Sequence, residues 1–126
     1  METLSINATD ETPFVELNAE NKVFKITGRS LPEDARAFYQ PISKWFNQYF
    51  EEAQSPVNLE IYLDYFNSSS TKQLVEIIID LESLKTKKVE VNIVRMYDED
   101  DELMETRGKE IESIVEIPFI FSPLKA

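Results

Sequence analysis

The stretch Val57-Asn58-Leu59-Glu60-Ile61-Tyr62-Leu63-Asp64-Tyr65-Phe66-Asn67-Ser68-Ser69-Ser70-Thr71-Lys72 changes its periodicity partway along. Val57, Leu59, Ile61 and Leu63 alternate with Asn58, Glu60, Tyr62 and Asp64, which is the pattern of a strand with one apolar face. A polar run from Asn67 to Thr71 follows, made of residue types that favour helix N-caps. Behind it, Leu74, Ile77, Ile78, Leu81 and Leu84 recur at helical spacing. Strand, polar turn, helix: this unit belongs to α/β folds, whose strands are joined through helices.

Working outward gives the rest. Upstream, Phe38, Ile42, Trp45, Phe46, Tyr49 and Phe50 form one helical face that ends before Pro56. Ser30 and Glu33 have capping-box spacing with Pro32 between them, and Pro41 is expected to kink or restart this helix. Before it, Phe14, Val15 and Leu17 and then Val23, Phe24 and Ile26 flank Asn18-Ala19-Glu20-Asn21, a hairpin signature closed by Gly28. Downstream, Lys85, Lys87 and Lys88 suit a helix C-terminus, and Val89 to Tyr97 reads as a strand. Asp98 to Glu102 is an acidic loop, Leu103 to Glu112 a weaker helix, and Ile114 to Phe121 a last strand that Pro118 assigns to an edge or a bulge. The expected order is β-β-α-β-α-β-α-β, a single α/β domain with a mixed, mostly parallel sheet. Residues 12–126 form that domain, and the polar segment 1–11 is expected to be a flexible N-terminus. Phe46, Leu59, Ile61, Leu74, Ile78 and Leu81 are expected in the core.

Composition removes many functions. The chain has no Cys and no His, so disulfides, thiol chemistry, an imidazole base and the usual zinc sites are absent. Its two glycines, Gly28 and Gly108, cannot build a dinucleotide-binding turn or a P-loop. With 24 Asp+Glu against 13 Lys+Arg, the net charge of −11 opposes binding to nucleic acid or to an anionic membrane. No segment approaches the ~20 apolar residues of a membrane span, and the first ten residues lack the basic and apolar regions of a signal peptide. A cytoplasmic protein with no cofactor and no metal is expected. The run Asp98 to Glu102 fails as an EF-hand loop, which would need glycine at position 103 and glutamate at 109, where Leu103 and Lys109 stand. It reads as a solvated turn at a helix N-terminus.

The serine cluster leaves three readings open. One hydroxyl caps the helix while the others are solvated; or one serine is a nucleophile; or one is phosphorylated. No His activates a nucleophile, no nucleophile elbow is present, and nothing places Lys72 as a base. A phosphate at a helix N-terminus meets unpaired N–H groups and the positive end of the dipole.

The chain resembles the SiaC family of regulatory phosphoproteins. The matching residues are Thr12-Pro13, Leu31-Pro32-Glu33-Asp34-Ala35, Trp45-Phe46, the run Leu59 to Lys72, and Ile117-Pro118-Phe119, spread from about Thr12 to Phe121. The resemblance implies a fold like that of the anti-sigma-factor antagonists (STAS-like) and a non-enzymatic partner switch. It implies a Ser/Thr protein kinase and a PP2C-type phosphatase as partners. The regulated target it implies is a GGDEF diguanylate cyclase, bound and stimulated in cyclic-di-GMP synthesis by the unphosphorylated form. The family's modified hydroxyl follows Asn in an Asn-Thr-Ser-Ser motif. Here Ser68 follows Asn67, a departure that keeps the hydroxyl and leaves Ser69 as a rival. Asn67, Ser69 and Ser70 are expected to shape the turn, and Tyr65, Phe66 and Lys72 to join them in meeting the partner. The rival reading is a ligand-binding or hydrolase-like domain with its site at the C-terminal end of strand 57–64.

Overall fold

The computed structural model describes residues 2–52, 56–82, 90–115, 117 and 119–124. Among these residues, six strands form one sheet: β1 (Leu4–Ile6), β2 (Phe14–Asn18), β3 (Val23–Ser30), β4 (Val57–Phe66), β5 (Val91–Asp98) and β6 (Phe119–Leu124). Among the described residues, three helices connect the later strands: α1 (Ala35–Glu52), α2 (Ser68–Glu82) and α3 (Glu102–Ile114). The spatial order of the strands follows the chain, β1 to β6. β1, β2 and β3 pair antiparallel, whereas β3–β4, β4–β5 and β5–β6 are parallel.

Each helix therefore joins two neighbouring parallel strands. Such crossovers share one hand, so successive ones in the same direction lie on the same face of the sheet. The burial of β4 agrees: Val57, Leu59, Ile61 and Leu63 are buried, whereas Asn58, Glu60 and Asp64 are exposed. All six residues expected in the core are buried there, together with Val15, Leu17 and Ile26 from the hairpin. The aromatic face of α1 packs the hairpin side of this layer, with Trp45 stacked on Tyr49 and Phe24 edge-on to both.

Several local expectations are corrected. The segment read as a frayed N-terminus contains β1, which extends the hairpin as an edge strand through Leu4↔Leu17 and Ile6↔Val15. The Trp45 indole N–H reaches across to donate to the Glu2 carbonyl at 2.8 Å. A three-residue strand carries too few residues for its alternation to be legible. Ser30 and Glu33 do not form a capping box. Leu31 precedes a proline and stays outside the helix, and Asp34 caps α1 instead, accepting from the Ala37 N–H at 3.1 Å. Pro41 lies inside a continuous α1. Pro41 and Ala37, whose carbonyl loses its helical N–H partner to the proline ring, are both exposed, so the carbonyl is not sealed away from solvent. Ile114 ends α3 rather than starting a strand, and the last strand begins at Phe119. That strand does lie at an edge, since β6 pairs with β5 alone. Leu84, Lys85, Lys87, Lys88, Val89 and Pro118 lie outside the described residues. Gly28, at φ +120°, sits where the register of β3 against β4 shifts, a backbone conformation that a side chain would strain. Among the described residues, no helix is long and apolar enough to cross a membrane.

Candidate functional site

The strand-to-helix turn after β4 lies at the C-terminal end of the sheet, beside the end of β3. Asn67 governs it. Its side-chain oxygen accepts from the Ser70 N–H at 2.9 Å, and its carbonyl accepts from the Thr71 N–H at 3.0 Å, which makes Asn67 the N-cap of α2. Of the three readings left open for the serine cluster, the one in which a hydroxyl caps the helix is thereby corrected. An amide oxygen meets the same orphan N–H, and it stands one residue ahead of the helix, where a cap must stand.

The three serines consequently have different fates. Ser70 is fully buried. Its hydroxyl donates to the Ser30 carbonyl at 2.9 Å and accepts from the Ser30 hydroxyl at 2.8 Å. The Ser30 proton is then committed, so the Tyr39 hydroxyl donates to Ser30 Oγ, at 2.5 Å. Desolvation pushes the Tyr39 phenol up to about 12, against the opposing effect of its hydrogen bond to Ser30 and of the neighbouring Ser70 hydroxyl. The Ser30 carbonyl also accepts from the Asn67 N–H at 3.0 Å. Ser68 and Ser69, by contrast, are exposed.

Ser68 alone of the three serines lines a cavity of about 460 Å³ between the start of α2 and α3. Phe66 and Thr71 contribute to its wall from one side, and Leu103, Arg107, Glu110 and Ile114 from the other. Leu103 and Ile114 are 55% and 63% exposed, so the rim is apolar and open to solvent. Arg107 is half-buried. It donates to the Phe66 carbonyl at 2.6 Å, and its guanidinium lies 5.5 Å from the Tyr65 ring centre and 5.6 Å from that of Phe66.

A second guanidinium lies beneath. Arg95 occupies an inward position of β5 and is 2% exposed. It stands 5.7 Å from the Phe66 ring centre and donates through one nitrogen to the Ile61 carbonyl at 3.3 Å and to that of Met96. Its other terminal nitrogen has no hydrogen-bond partner among the described residues. Burial pulls its pKa down to about 10, with Asp101 acting in the opposite direction. Gly108 lets α3 approach it closely: a Cβ there would meet Arg95 Cγ at 3.2 Å.

The residues expected to meet a partner are thus divided. Tyr65, Ser69 and Lys72 are exposed, Asn67 is half-buried, and Phe66 and Ser70 are buried. Ser70 shapes the turn from inside, and Phe66, though buried, forms part of the cavity wall. Lys72, though exposed, does not line the cavity. Sequence reading missed Arg107, Leu103 and Ile114, which lie some forty residues from the turn. Arg95 did leave a signal: it breaks the inward apolar series Val91, Ile93 with a charge. In the acidic run, Asp101 caps α3 by accepting from the Met104 N–H at 3.1 Å, and the Tyr62 hydroxyl donates to Asp98. Among the described residues, no three or more carboxylates are placed together so that they could hold a metal ion.

Comparison with known proteins places this arrangement. A profile described as SiaC family regulatory phosphoprotein matches residues 6–124. A protein of Pseudomonas aeruginosa strain UCBPP-PA14 is 25% identical over 119 residues, covering 94% of each chain. Among solved structures, SiaC of Pseudomonas aeruginosa superposes with a TM-score of 0.90 at 23% identity, covering 98% of this chain and all of that one. The activator SiaC in its complex with the diguanylate cyclase SiaD, also from Pseudomonas aeruginosa, gives 0.90 at 24% identity, covering 96% of this chain and 99% of that one. With a profile that spans nearly its whole length, this chain belongs to the SiaC family of regulatory phosphoproteins.

Proposed function

We propose that this protein is a non-enzymatic partner switch of the cytoplasm, controlled by phosphorylation of Ser68. Its unphosphorylated form binds and stimulates a GGDEF diguanylate cyclase. A Ser/Thr protein kinase closes the switch, and a PP2C-type phosphatase reopens it. The observation that carries this reading is the freedom of the Ser68 hydroxyl. Asn67 has taken over the capping, Ser70 is locked inside, and Ser68 stands exposed on the wall of a cavity with an apolar rim. A kinase reaches such a hydroxyl without disturbing the core, and an apolar rim suits a protein partner. Membership of a regulatory phosphoprotein family, and the capture of a relative bound to a diguanylate cyclase as its activator, support the same reading.

The ligand-binding or hydrolase-like alternative finds less support. Strand order runs in sequence from β1 to β6, so the sheet has no reversal of order to open the crevice where α/β enzymes bind ligands. No His or Cys stands ready to activate Ser68. The deciding experiment is mass spectrometry of the protein from its host, beside titration of a diguanylate cyclase with the unmodified, Ser68→Ala and phosphorylated forms. Phosphate at Ser68, with binding lost only in the phosphorylated form, is expected. Phosphate confined to Ser69, or equal binding by all three forms, overturns the assignment.

A further inference from the structure

We propose that Arg107 is the internal receptor for a phosphate on Ser68, so that modification draws its guanidinium from the Phe66 carbonyl onto the phosphate across the cavity both residues line. This inference rests on the reading of Ser68 as the modified residue. It names the group that answers the modification.

Three observations carry it. First, Ser68 and Arg107 share one cavity wall, and Arg107 is the only cation among the described residues that line it. Second, Arg107 has an ordinary neutral acceptor, the Phe66 carbonyl, and among the described residues it forms no ion pair with a carboxylate. In a chain of net charge −11, an arginine held by a carbonyl and two ring faces is a charge kept available. A phosphate offers charged oxygens in the geometry that the guanidinium fork matches, and such bonds are roughly twice as strong as neutral ones. Third, Arg95 lies against the same Phe66 ring with one nitrogen unpaired among the described residues, so two guanidiniums place positive charge behind the turn. Glu110 lies on the same wall and opposes the phosphate. It sits three residues after Arg107, on the side of α3 toward Ile114.

The consequence is a switch that works from within. A phosphate tied to Arg107 ties the start of α2 to the middle of α3 and fills the space between Leu103 and Ile114. The partner then loses the apolar rim as well as meeting a new charge.

The test installs phosphoserine at position 68 during translation, which needs no kinase, and follows its titration by ³¹P NMR. The second ionisation of free phosphoserine lies near 6, and a paired guanidinium lowers it by about half a unit or more. The α2 dipole contributes in every variant, so the comparison with R107Q isolates the arginine. The shift is expected to be lost in R107Q, largely kept in R107K and deepened in E110Q. Phosphoserine placed at Ser69, which does not line the cavity, should show no dependence on Arg107. Melting curves confirm that each variant is folded, and should R107Q unfold, R107M makes the same comparison, since it removes the charge and keeps an apolar stem against the Tyr65 and Phe66 rings. An ionisation at position 68 that is the same in the parent, R107Q and R107K overturns the proposal. Failure to find native phosphate at Ser68 would overturn the switch reading alone, and leaves this titration standing as a property of the site.

Discussion

The Ser70 hydroxyl and the main chain of Ser30 are locked together: Ser70 Oγ donates to the Ser30 carbonyl at 2.9 Å while accepting from the Ser30 hydroxyl at 2.8 Å. This pair joins the end of β3 to the first turn of α2, and it is sealed by the Tyr39 hydroxyl from α1. The exposed half of the serine cluster is held in place by its buried half.

Replacing Ser70 should therefore cost stability, while replacing Ser68 should not. Ser70→Ala leaves the buried Ser30 hydroxyl without its acceptor, a loss of about 1–3 kcal/mol. Ser68→Ala alters an exposed hydroxyl that does not cap the helix, and should stay within about 0.5 kcal/mol of the parent. Denaturant unfolding of the two variants gives both numbers. Equal effects would place the structural hydroxyl at the wrong serine.

Tyr39 should impose a loss of stability at high pH. Its phenol is held up to about 12 in the folded state, against an ordinary value of 10.0. Between those values the unfolded chain releases a proton that the folded chain retains, so stability falls as pH rises from 10 toward 12. The slope for one such group reaches about 1.4 kcal/mol per pH unit. Tyr39→Phe should be slightly less stable at neutral pH, having lost the bond to Ser30, and should decline less steeply than the parent above pH 10. Parallel decline in both proteins, measured by denaturant unfolding across this range, would remove Tyr39 as the source.

On α2, neighbouring isoleucines should separate cleanly. Ile78 is 1% exposed and Ile79 is 46% exposed. Ile78→Ala should cost about 2–5 kcal/mol, as large-to-small changes in packed cores do. Ile79→Ala should cost well under half of that. Similar melting temperatures for the two variants would mean that the helix presents a different face to the sheet.

Phosphate on Ser68 should change binding far more than folding. The hydroxyl is exposed and lies at the positive end of α2, where added negative charge gains about 0.3–1 kcal/mol. A phosphate buried in an interface costs several kcal/mol, and about 3 kcal/mol already weakens binding roughly 100-fold. The phosphorylated protein should melt within a few degrees of the unmodified one and fail to bind the cyclase. Unfolding on phosphorylation would show that the turn is part of the core rather than a surface laid over it.

The alternation Val57-Leu59-Ile61-Leu63 and the stripe Leu74-Ile77-Ile78-Leu81 determined the strand, the helix and their buried faces, because periodicity is a local property and burial follows it. The same local logic marked the hairpin, the α1 core and the serine turn as the place to look. It could not choose among capping groups, since Asn67, Ser68, Ser69 and Ser70 are all good N-cap types and only the exact start of α2 selects Asn67. Nor could it find β1, whose three residues pair only because β2 offers an open edge. The cavity belongs wholly to the tertiary structure. Arg107, Leu103 and Ile114 share a cavity with Ser68 because β4 and β5 are neighbours and both crossovers lie on one face, which brings the start of α2 against α3. Local sequence sets which side of each element is apolar, whereas the packing of the elements sets which exposed hydroxyl stands next to which charge.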